Sequence, residues 1–213
     1  LDVPVYKIAA FENTDLPLIK RVAQTGKPVI ISTGMASIAE IDDAVSTVNS
    51  VGNNQCILLK CTSAYPASPA ESNLLTIPDM REKFECEVGL SDHTIGIGAA
   101  LVAIAHGASV IEKHLTVSRD DDGVDSAFSI EPGELKQLVS ESVAAKRALG
   151  HVFYGPTASE QSAVTYRRSL YVAEDIKAGD VITENNVRRV RPGGGLPPRY
   201  QAEILGRRVT CDV

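Results

Sequence analysis

The feature that most constrains the fold of this chain is a repeating order of short apolar segments and longer helical segments. Consecutive apolar segments begin roughly 20–30 residues apart, which is typical of βα units. Their valine and isoleucine content is typical of buried parallel strands. The alternation favours either a doubly wound sheet or a (β/α)8 barrel. The five predicted strands are Val3–Ala10, Pro28–Ser32, Cys56–Lys60, Glu87–Leu90 and Ser109–Lys113.

Helix-capping signals lie between these strands. Asp15 is a good N-cap residue, and Ser37 with Glu40 forms the pattern of a capping box. Glycine after the last helical residue, as at Gly150, is a common helix end. The predicted helices are Leu16–Thr25, residues 38 to about 49, Gly98–His106 and Pro132–Leu149.

The pattern changes after Gly150. Residues 151–165 are polar, and they are followed by short β-like segments separated by glycine-containing turns. We therefore predict a partial barrel over residues 1–150, a linker over 151–165 and a small β-rich domain over 166–213. The predicted β-like segments are Ser169–Ala173, Val181–Ile182 and Ile204–Val209.

Five βα strands are fewer than the eight that a closed barrel needs. The sequence also begins with Leu1 and not with methionine. Both features lead us to expect that the chain is the C-terminal part of a longer protein.

Composition excludes several classes of protein. A formal net charge of −6 argues against a nucleic-acid backbone as the partner, because such partners favour a basic face. No apolar run approaches the ~20 residues of a membrane span. The four cysteines lack C-x-x-C spacing and are expected to be reduced thiols, which predicts a cytoplasmic location.

Polar residues follow all five predicted strands. In parallel βα folds, the carboxyl ends of the strands carry the functional site. We therefore expect the following residues to meet at one edge of the sheet: Lys7, Glu12, Ser32, Thr33, Cys61, Thr62, Tyr65, Ser91, Asp92, His93, Thr94, Glu112, Lys113 and His114.

His93 and His114 close consecutive strands. Neighbouring strands lie about 4.8 Å apart, so two imidazoles at the same height are close enough to share a metal ion. Such a site suits Mn²⁺, Zn²⁺ or Fe²⁺ acting as a Lewis acid on a carbonyl oxygen. The alternative is that each histidine only hydrogen-bonds a neighbouring loop.

An anion site is the second prediction at this edge. Lys7 lies inside an apolar strand, where its ammonium is costly unless it meets an anion, and Ser32 and Ser91 supply hydroxyl donors. The alternative is a surface lysine at a strand end with ordinary turn serines. Glu12 and Asp125 are candidate carboxylates for general acid–base catalysis or for binding sugar hydroxyls.

Two further residues carry weaker signals. Cys61 has no histidine near it in sequence, which favours a packed thiol over a nucleophile. Arg191 precedes a glycine-rich loop from which it could reach an anion or another polar ligand.

Taken together, separated motifs along essentially the whole chain resemble the sialic acid synthase family. Two C-terminal segments, Ser169–Gly179 and Arg191–Gly193, resemble the antifreeze-like (SAF) domain of that family. The motifs in the first part are Lys7–Glu12, Ile31–Met35, Lys60–Pro66, Gly89–Thr94 and Ile111–His114. The resemblance implies a TIM barrel with about five βα units in this chain, followed by a SAF domain.

The resemblance also implies an activity, the condensation of phosphoenolpyruvate with an open-chain six-carbon amino sugar to give a 2-keto acid and phosphate. It implies a divalent metal, with Mn²⁺ expected and Mg²⁺ or Co²⁺ as alternatives, and a domain-swapped homodimer. By this resemblance His93 and His114 bind the metal; Lys7, Ser32 and Ser91 bind phosphoenolpyruvate; Glu12, Tyr65 and Asp125 face the sugar; and Arg191 reaches the sugar of the partner subunit.

Within the family, three segments resemble the branch that makes pseudaminate from 2,4-diacetamido-2,4,6-trideoxy-β-L-altropyranose: Phe11–Glu12, Leu59–Ser63 and Gly123–Phe128. The alternatives are a synthase for N-acetylneuraminate or legionaminate that uses another hexosamine, and an inactive fragment that binds a carbohydrate or an anion.

Two departures from the family pattern have consequences. Ala10 stands where the family usually has serine, so we expect one phosphate contact to be missing. The first three barrel strands of the family precede Lys7 and carry further active-site residues. We therefore predict that this chain alone does not close the barrel and is inactive or nearly so, and that its SAF domain is truncated.

Overall fold

The computed structural model describes residues 2–213 of the chain. The chain divides into two compact units, Leu1–Gly150 and His151–Val213. In the first unit, five parallel strands form one curled sheet in the order of the sequence, which confirms the predicted partial barrel. Its strands are β1 (Tyr6–Ile8), β2 (Val29–Ser32), β3 (Cys56–Cys61), β4 (Glu87–Asp92) and β5 (Ile111–Lys113). Its helices are α1 (Leu16–Ala23), α2 (Ile38–Asn49), α3 (Thr76–Phe84), α4 (Gly98–Ala105) and α5 (Pro132–Leu149).

The main hydrophobic core lies between the sheet and the helices. Alternate strand residues such as Ile31, Leu58 and Val88 pack there against Ile41 of α2 and Ile77 of α3. Because side chains alternate across a strand, the residues between them face the inside of the half-barrel. The polar residues near the strand ends are therefore sorted between two faces of the sheet.

The predicted helix starts agree with the structure where a cap is present. Asp15 accepts a hydrogen bond from the Leu18 amide, and Ser37 pairs reciprocally with Glu40. The helix α3 was missed in the sequence. Its N-cap position, Leu75, makes no side-chain cap, and only Ile77 and Met80 of the helix are buried, so its helical signal is weak.

The second unit contains a two-stranded antiparallel sheet, β6 (Ser169–Val172) and β7 (Val187–Val190), and a short helix, α6 (Gln201–Ile204). Residues 158–166, expected to be irregular, form a 3-10 helix. The buried apolar residues of the second unit are Leu170, Ile176 and Val187.

Two sequence expectations for this unit were wrong. The predicted β-like segment Ile204–Val209 is not a strand, because Ile204 ends α6 and only Arg208 makes an isolated bridge, to Val181. The strand β7 was missed because exposed arginines occupy its middle and hide the β pattern. No helix in the part of the chain that the structure describes is long and apolar enough to cross a membrane.

Candidate active site

The loop after β2 is held against the neighbouring strand ends by tight packing. A Cβ atom added at Gly34 would meet the Ser63 hydroxyl and the Ala10 methyl group. The buried Asn13 donates its side-chain amide to the carbonyls of Ser32 (3.3 Å) and Gly34 (3.2 Å). These contacts fix the backbone that carries Ser32. Asn13 carries no clear signal in the sequence, because an asparagine before a helix is also an ordinary turn residue.

Lys7 and Ser91 both contact one carboxylate, Glu112, and Lys7 links Ser32 to them. The Lys7 ammonium donates to the Ser32 hydroxyl at 2.8 Å and lies 3.6 Å from Glu112 Oε2. The Ser91 hydroxyl donates to Glu112 Oε1 at 2.8 Å. The fold therefore brings together the three residues that were predicted to bind an anion.

Glu112 was located at a strand end in the sequence, but no role was assigned to it. Its position two residues before His114 places both side chains on the same face of the sheet. That alternation was a usable signal. Only the pairing of Ser91 with Glu112 in the β4–β5 register shows which donors this carboxylate meets.

His93 and His114 face each other with ring centroids 5.2 Å apart. His93 Nδ1 lies 2.8 Å from the Thr62 carbonyl oxygen, which can only accept, so we assign the proton to Nδ1. His114 Nδ1 lies 3.4 Å from Asp125 Oδ2. Nδ1 of each ring therefore lies beside an oxygen acceptor, which is a carbonyl for His93 and a carboxylate for His114.

Two aromatic rings surround the histidines. Tyr65 lies 4.3 Å from His93 and 6.0 Å from His114, measured between ring centroids. Phe128, which was not among the predicted site residues, lies 5.2 Å from His114. Burial raises the pKa of Tyr65, and the nearby Cys61, Asp125 and Glu112 raise it further, so its hydroxyl stays protonated at neutral pH.

The fold places Cys61 beside His93, although the sequence showed no histidine near this cysteine. Burial favours the neutral thiol, but hydrogen bonds with His93, Ser63 and Ser91 outweigh it and lower the pKa of Cys61. Burial likewise acts to lower the pKa of His93, but its contacts with Cys61 and the Thr62 carbonyl outweigh this and raise the pKa. Cys61 is 4% exposed, as expected of a packed thiol.

The two histidines fit a divalent metal. Ligating histidines usually donate the second ring N–H to a carbonyl or a carboxylate, and Thr62 and Asp125 occupy those positions here. Among residues 2–213, no group of three or more histidine, cysteine or acidic side chains is arranged to hold a metal ion. A metal bound by the two imidazoles would therefore keep positions for water or substrate.

Two predicted site residues do not join these clusters. Glu12 is exposed, and its carboxylate accepts a hydrogen bond from the Ala9 amide at 3.0 Å, which caps the short 3-10 segment Ala10–Glu12. Arg191 belongs to the second unit, where it is exposed just after β7.

Comparison with known proteins identifies both units. Residues 1–154 match the model of the NeuB family, and residues 167–213 match that of the SAF domain. Pseudaminic acid synthase from Helicobacter pylori is 41% identical over 99% of this chain. The chain spans 62% of the length of that protein.

Other relatives have different names. N,N'-diacetyllegionaminic acid synthase from Campylobacter jejuni is 38% identical over 99% of this chain and 64% of its own length. The crystal structure of N-acetylneuraminic acid (sialic acid) synthetase from Leptospira borgpetersenii, solved with citrate, is 40% identical. The match has a TM-score of 0.70 and covers 76% of this chain and 57% of that one.

The resemblance that the sequence motifs indicated is thus confirmed by matches covering most of the chain. The first match covers the parallel half-barrel, and the second covers the small antiparallel sheet. The chain belongs to the NeuB family and carries a SAF domain over residues 167–213.

Proposed function

We propose that this chain carries the metal-binding and phosphoenolpyruvate-binding part of a nonulosonic acid synthase. The observation that carries the proposal is the opposed pair of imidazoles, each with Nδ1 engaged, beside a lysine and two serines at the same strand ends. The first arrangement suits a Lewis-acid metal, and the second suits a phosphate.

Phosphoenolpyruvate binding is assigned to Lys7, Ser32 and Ser91. In the structure Lys7 and Ser91 both contact Glu112, so an arriving phosphate competes with this carboxylate for the same donors. Ser32 and Ser91 are 2% and 3% exposed, which limits the water that surrounds their hydroxyls. Buried hydroxyl donors stabilise phosphate charge more strongly than donors in bulk water, whereas the Lys7 side chain is 32% exposed and its charge is partly screened.

His93 and His114 would hold the metal, which we propose is Mn²⁺, with Mg²⁺ or Co²⁺ as alternatives. When bound, the metal would polarise the aldehyde oxygen of the open-chain sugar. Tyr65, with its protonated hydroxyl, and Asp125 would face the sugar. We assign Glu12 to the sugar as well, from the family pattern; using it would require the carboxylate to leave the Ala9 amide.

The proposed reaction joins C3 of phosphoenolpyruvate to the aldehyde carbon, and the aldehyde oxygen takes up a proton to become a hydroxyl. Water adds to the oxocarbenium ion left at C2 and loses a proton. The C2–O bond to phosphate then breaks as the new hydroxyl loses its proton, which yields the 2-keto acid and inorganic phosphate. Lys7 and the two serines stabilise the phosphate throughout these steps.

For the acceptor, we propose 2,4-diacetamido-2,4,6-trideoxy-β-L-altropyranose, with pseudaminate as the product. This choice is supported by the 41% identity to the Helicobacter pylori synthase and by the Gly123–Phe128 segment, which contributes Asp125 and Phe128 to the site. The 38% identity to a legionaminic acid synthase makes that product the second candidate. A homodimer in which Arg191 serves the partner subunit is also part of the proposal.

The test is phosphate release from phosphoenolpyruvate with Mn²⁺, using the 213 residues and the protein with any upstream residues that its gene encodes. The altrose derivative and N-acetylmannosamine are offered separately. Release with the altrose derivative alone supports pseudaminate synthesis, and release with N-acetylmannosamine redirects the proposal to N-acetylneuraminate.

Absence of release with both sugars, in a protein that still binds Mn²⁺, would contradict the proposed acceptor. Absence of Mn²⁺ binding as well would favour the inactive binding fragment. His106 lies at the end of α4, away from the strand ends, so His106→Ala is the matched control for substitution of either site histidine.

A further inference from the structure

A buried ion pair lies directly behind the two histidines. Lys113 Nζ is 2.8 Å from Asp92 Oδ2, and the two side chains are 4% and 1% exposed. Thr94 joins them, because its amide and its hydroxyl both donate to Asp92 Oδ1 at 2.8 Å while its carbonyl accepts from Lys113 at 2.5 Å. We call these three residues the Asp92–Lys113–Thr94 network.

Stability alone does not explain why this network is ionic. Removing two charges from water costs free energy that their attraction often fails to repay, and apolar pairs of similar volume are frequently as stable or more stable. The site faces the helix layer, where neighbouring strand residues such as Leu90 and Ile111 are apolar. Within this layer the two charges also partner the amide, the hydroxyl and the carbonyl of Thr94, so what they hold is the chain next to His93.

The positions of the network suggest what the charges do. Asp92 and Lys113 are paired residues and are the last residues of β4 and β5, so the backbone ladder between the strands ends with them. Each directly precedes one of the site histidines. Asp92 and Thr94 also bracket His93, so the network holds the backbone on both sides of that imidazole.

We propose that the Asp92–Lys113–Thr94 network is a positioning device that sets the distance between the His93 and His114 rings and thereby the affinity for the metal. The inference rests on the proposed function, since it assumes that the two imidazoles bind a metal. The network side chains lie on the opposite face of the strands from the rings, so they act through the backbone and touch neither metal nor substrate.

The test compares Mn²⁺ affinity with thermal stability in a double variant, Asp92→Leu with Lys113→Met. Free Mn²⁺ is measured by electron paramagnetic resonance during titration of the protein, well below its melting temperature. We expect a folded protein whose stability is lowered, because the Thr94 amide, hydroxyl and carbonyl lose their partners, and which binds Mn²⁺ about 10-fold to 100-fold more weakly, the effect typical of lost outer partners of metal ligands. Wild-type Mn²⁺ affinity in the folded double variant would overturn the inference.

The matched control is the exposed pair Asp79–Lys83 on α3, which is 3.4 Å apart. Asp79→Leu with Lys83→Met removes the same charges and should leave Mn²⁺ affinity unchanged. Neither double variant changes the net charge, so an equal loss of affinity in this control would mean that the loss is not specific to the network, and would also overturn the inference.

A second variant decides the matter if the double variant does not fold. Thr94→Val keeps both charges and the volume but removes the hydroxyl bond to Asp92, and we expect Mn²⁺ binding to weaken about 5-fold. Unchanged affinity in Thr94→Val would then count against the network. A wild-type protein that binds no Mn²⁺ would instead refute the metal centre itself, which distinguishes failure of the proposed function from failure of this inference.

Discussion

The two ends of the same five strands use charged side chains differently. At the carboxyl ends, Lys7 and Ser91 share a carboxylate, and the two imidazoles face each other. At the amino ends, Arg81 donates to the Gly107 carbonyl at 2.5 Å and lies 3.5 Å from Glu87 beside cavities of about 540 and 520 Å³. Both ends are polar and both adjoin open space.

The difference lies in what each polar group contacts. Arg81 donates to the Val88 carbonyl in β4 and to the Gly107 carbonyl between α4 and β5, so its bonds maintain the fold. At the carboxyl ends, polar side chains also contact one another: Lys7 and Ser91 contact Glu112, and His114 lies beside Asp125. A cavity and a charged residue do not by themselves make a functional site. A functional site also needs polar side chains that are not all used to hold the backbone. The following predictions would break or sharpen this contrast.

The largest expected effect is that of His114→Ala. Loss of one of only two nitrogen ligands should reduce Mn²⁺ affinity by at least about 100-fold, with little change in stability because His114 is about one-third exposed. Titration calorimetry with Mn²⁺ measures this, with His106→Ala as the control. Retained Mn²⁺ binding would remove the functional distinction between the strand ends.

Lys7→Met should act on phosphoenolpyruvate and not on the metal. Loss of the ammonium that donates to Ser32 should weaken phosphoenolpyruvate binding or slow turnover by about 10²-fold, the size seen when one donor to a developing charge is removed. Binding measurements with phosphoenolpyruvate, alongside Mn²⁺ titration, separate the two effects. The exposed Lys20→Met on α1 is the control, and equal losses in the two variants would contradict a specific role for Lys7.

Leu58→Ala tests the core that carries both ends. Leu58 is fully buried between the sheet and the helices, so truncation should lower the free energy of unfolding by about 2–5 kcal/mol. Urea denaturation followed by circular dichroism measures the loss. A change below about 1 kcal/mol would mean that the cavity collapses or that this region contributes little to stability.

The smallest effect is expected for Arg81→Ala at the amino ends. Leaving the Gly107 carbonyl without its donor should cost about 1–3 kcal/mol of stability and leave Mn²⁺ and phosphoenolpyruvate binding at wild-type values. The same denaturation and titration experiments apply. Weaker phosphoenolpyruvate binding in this folded variant would show that the contrast between the two ends is incorrect.

Much of the half-barrel could be predicted because its signals are local. Alternating apolar segments and caps such as Asp15 and Ser37 depend on residues within a few positions of one another. The helix α3 was missed because it lacks a side-chain cap, and β7 because arginines fill its exposed positions. Tertiary packing, and not local preference, makes these two segments regular.

The sequence by itself indicated five parallel strands and the edge at which Lys7, His93 and His114 would lie, because parallel strands all end at the same side of a sheet. Only the tertiary structure decided which side chains meet. Glu112 accepts a hydrogen bond from Ser91, His93 lies beside Cys61, and Asp92 pairs with Lys113. Strand register and side-chain direction bring each of these pairs together. Those contacts join residues about 20 to 30 positions apart, a separation at which local preference carries no information and register alone sets the distance.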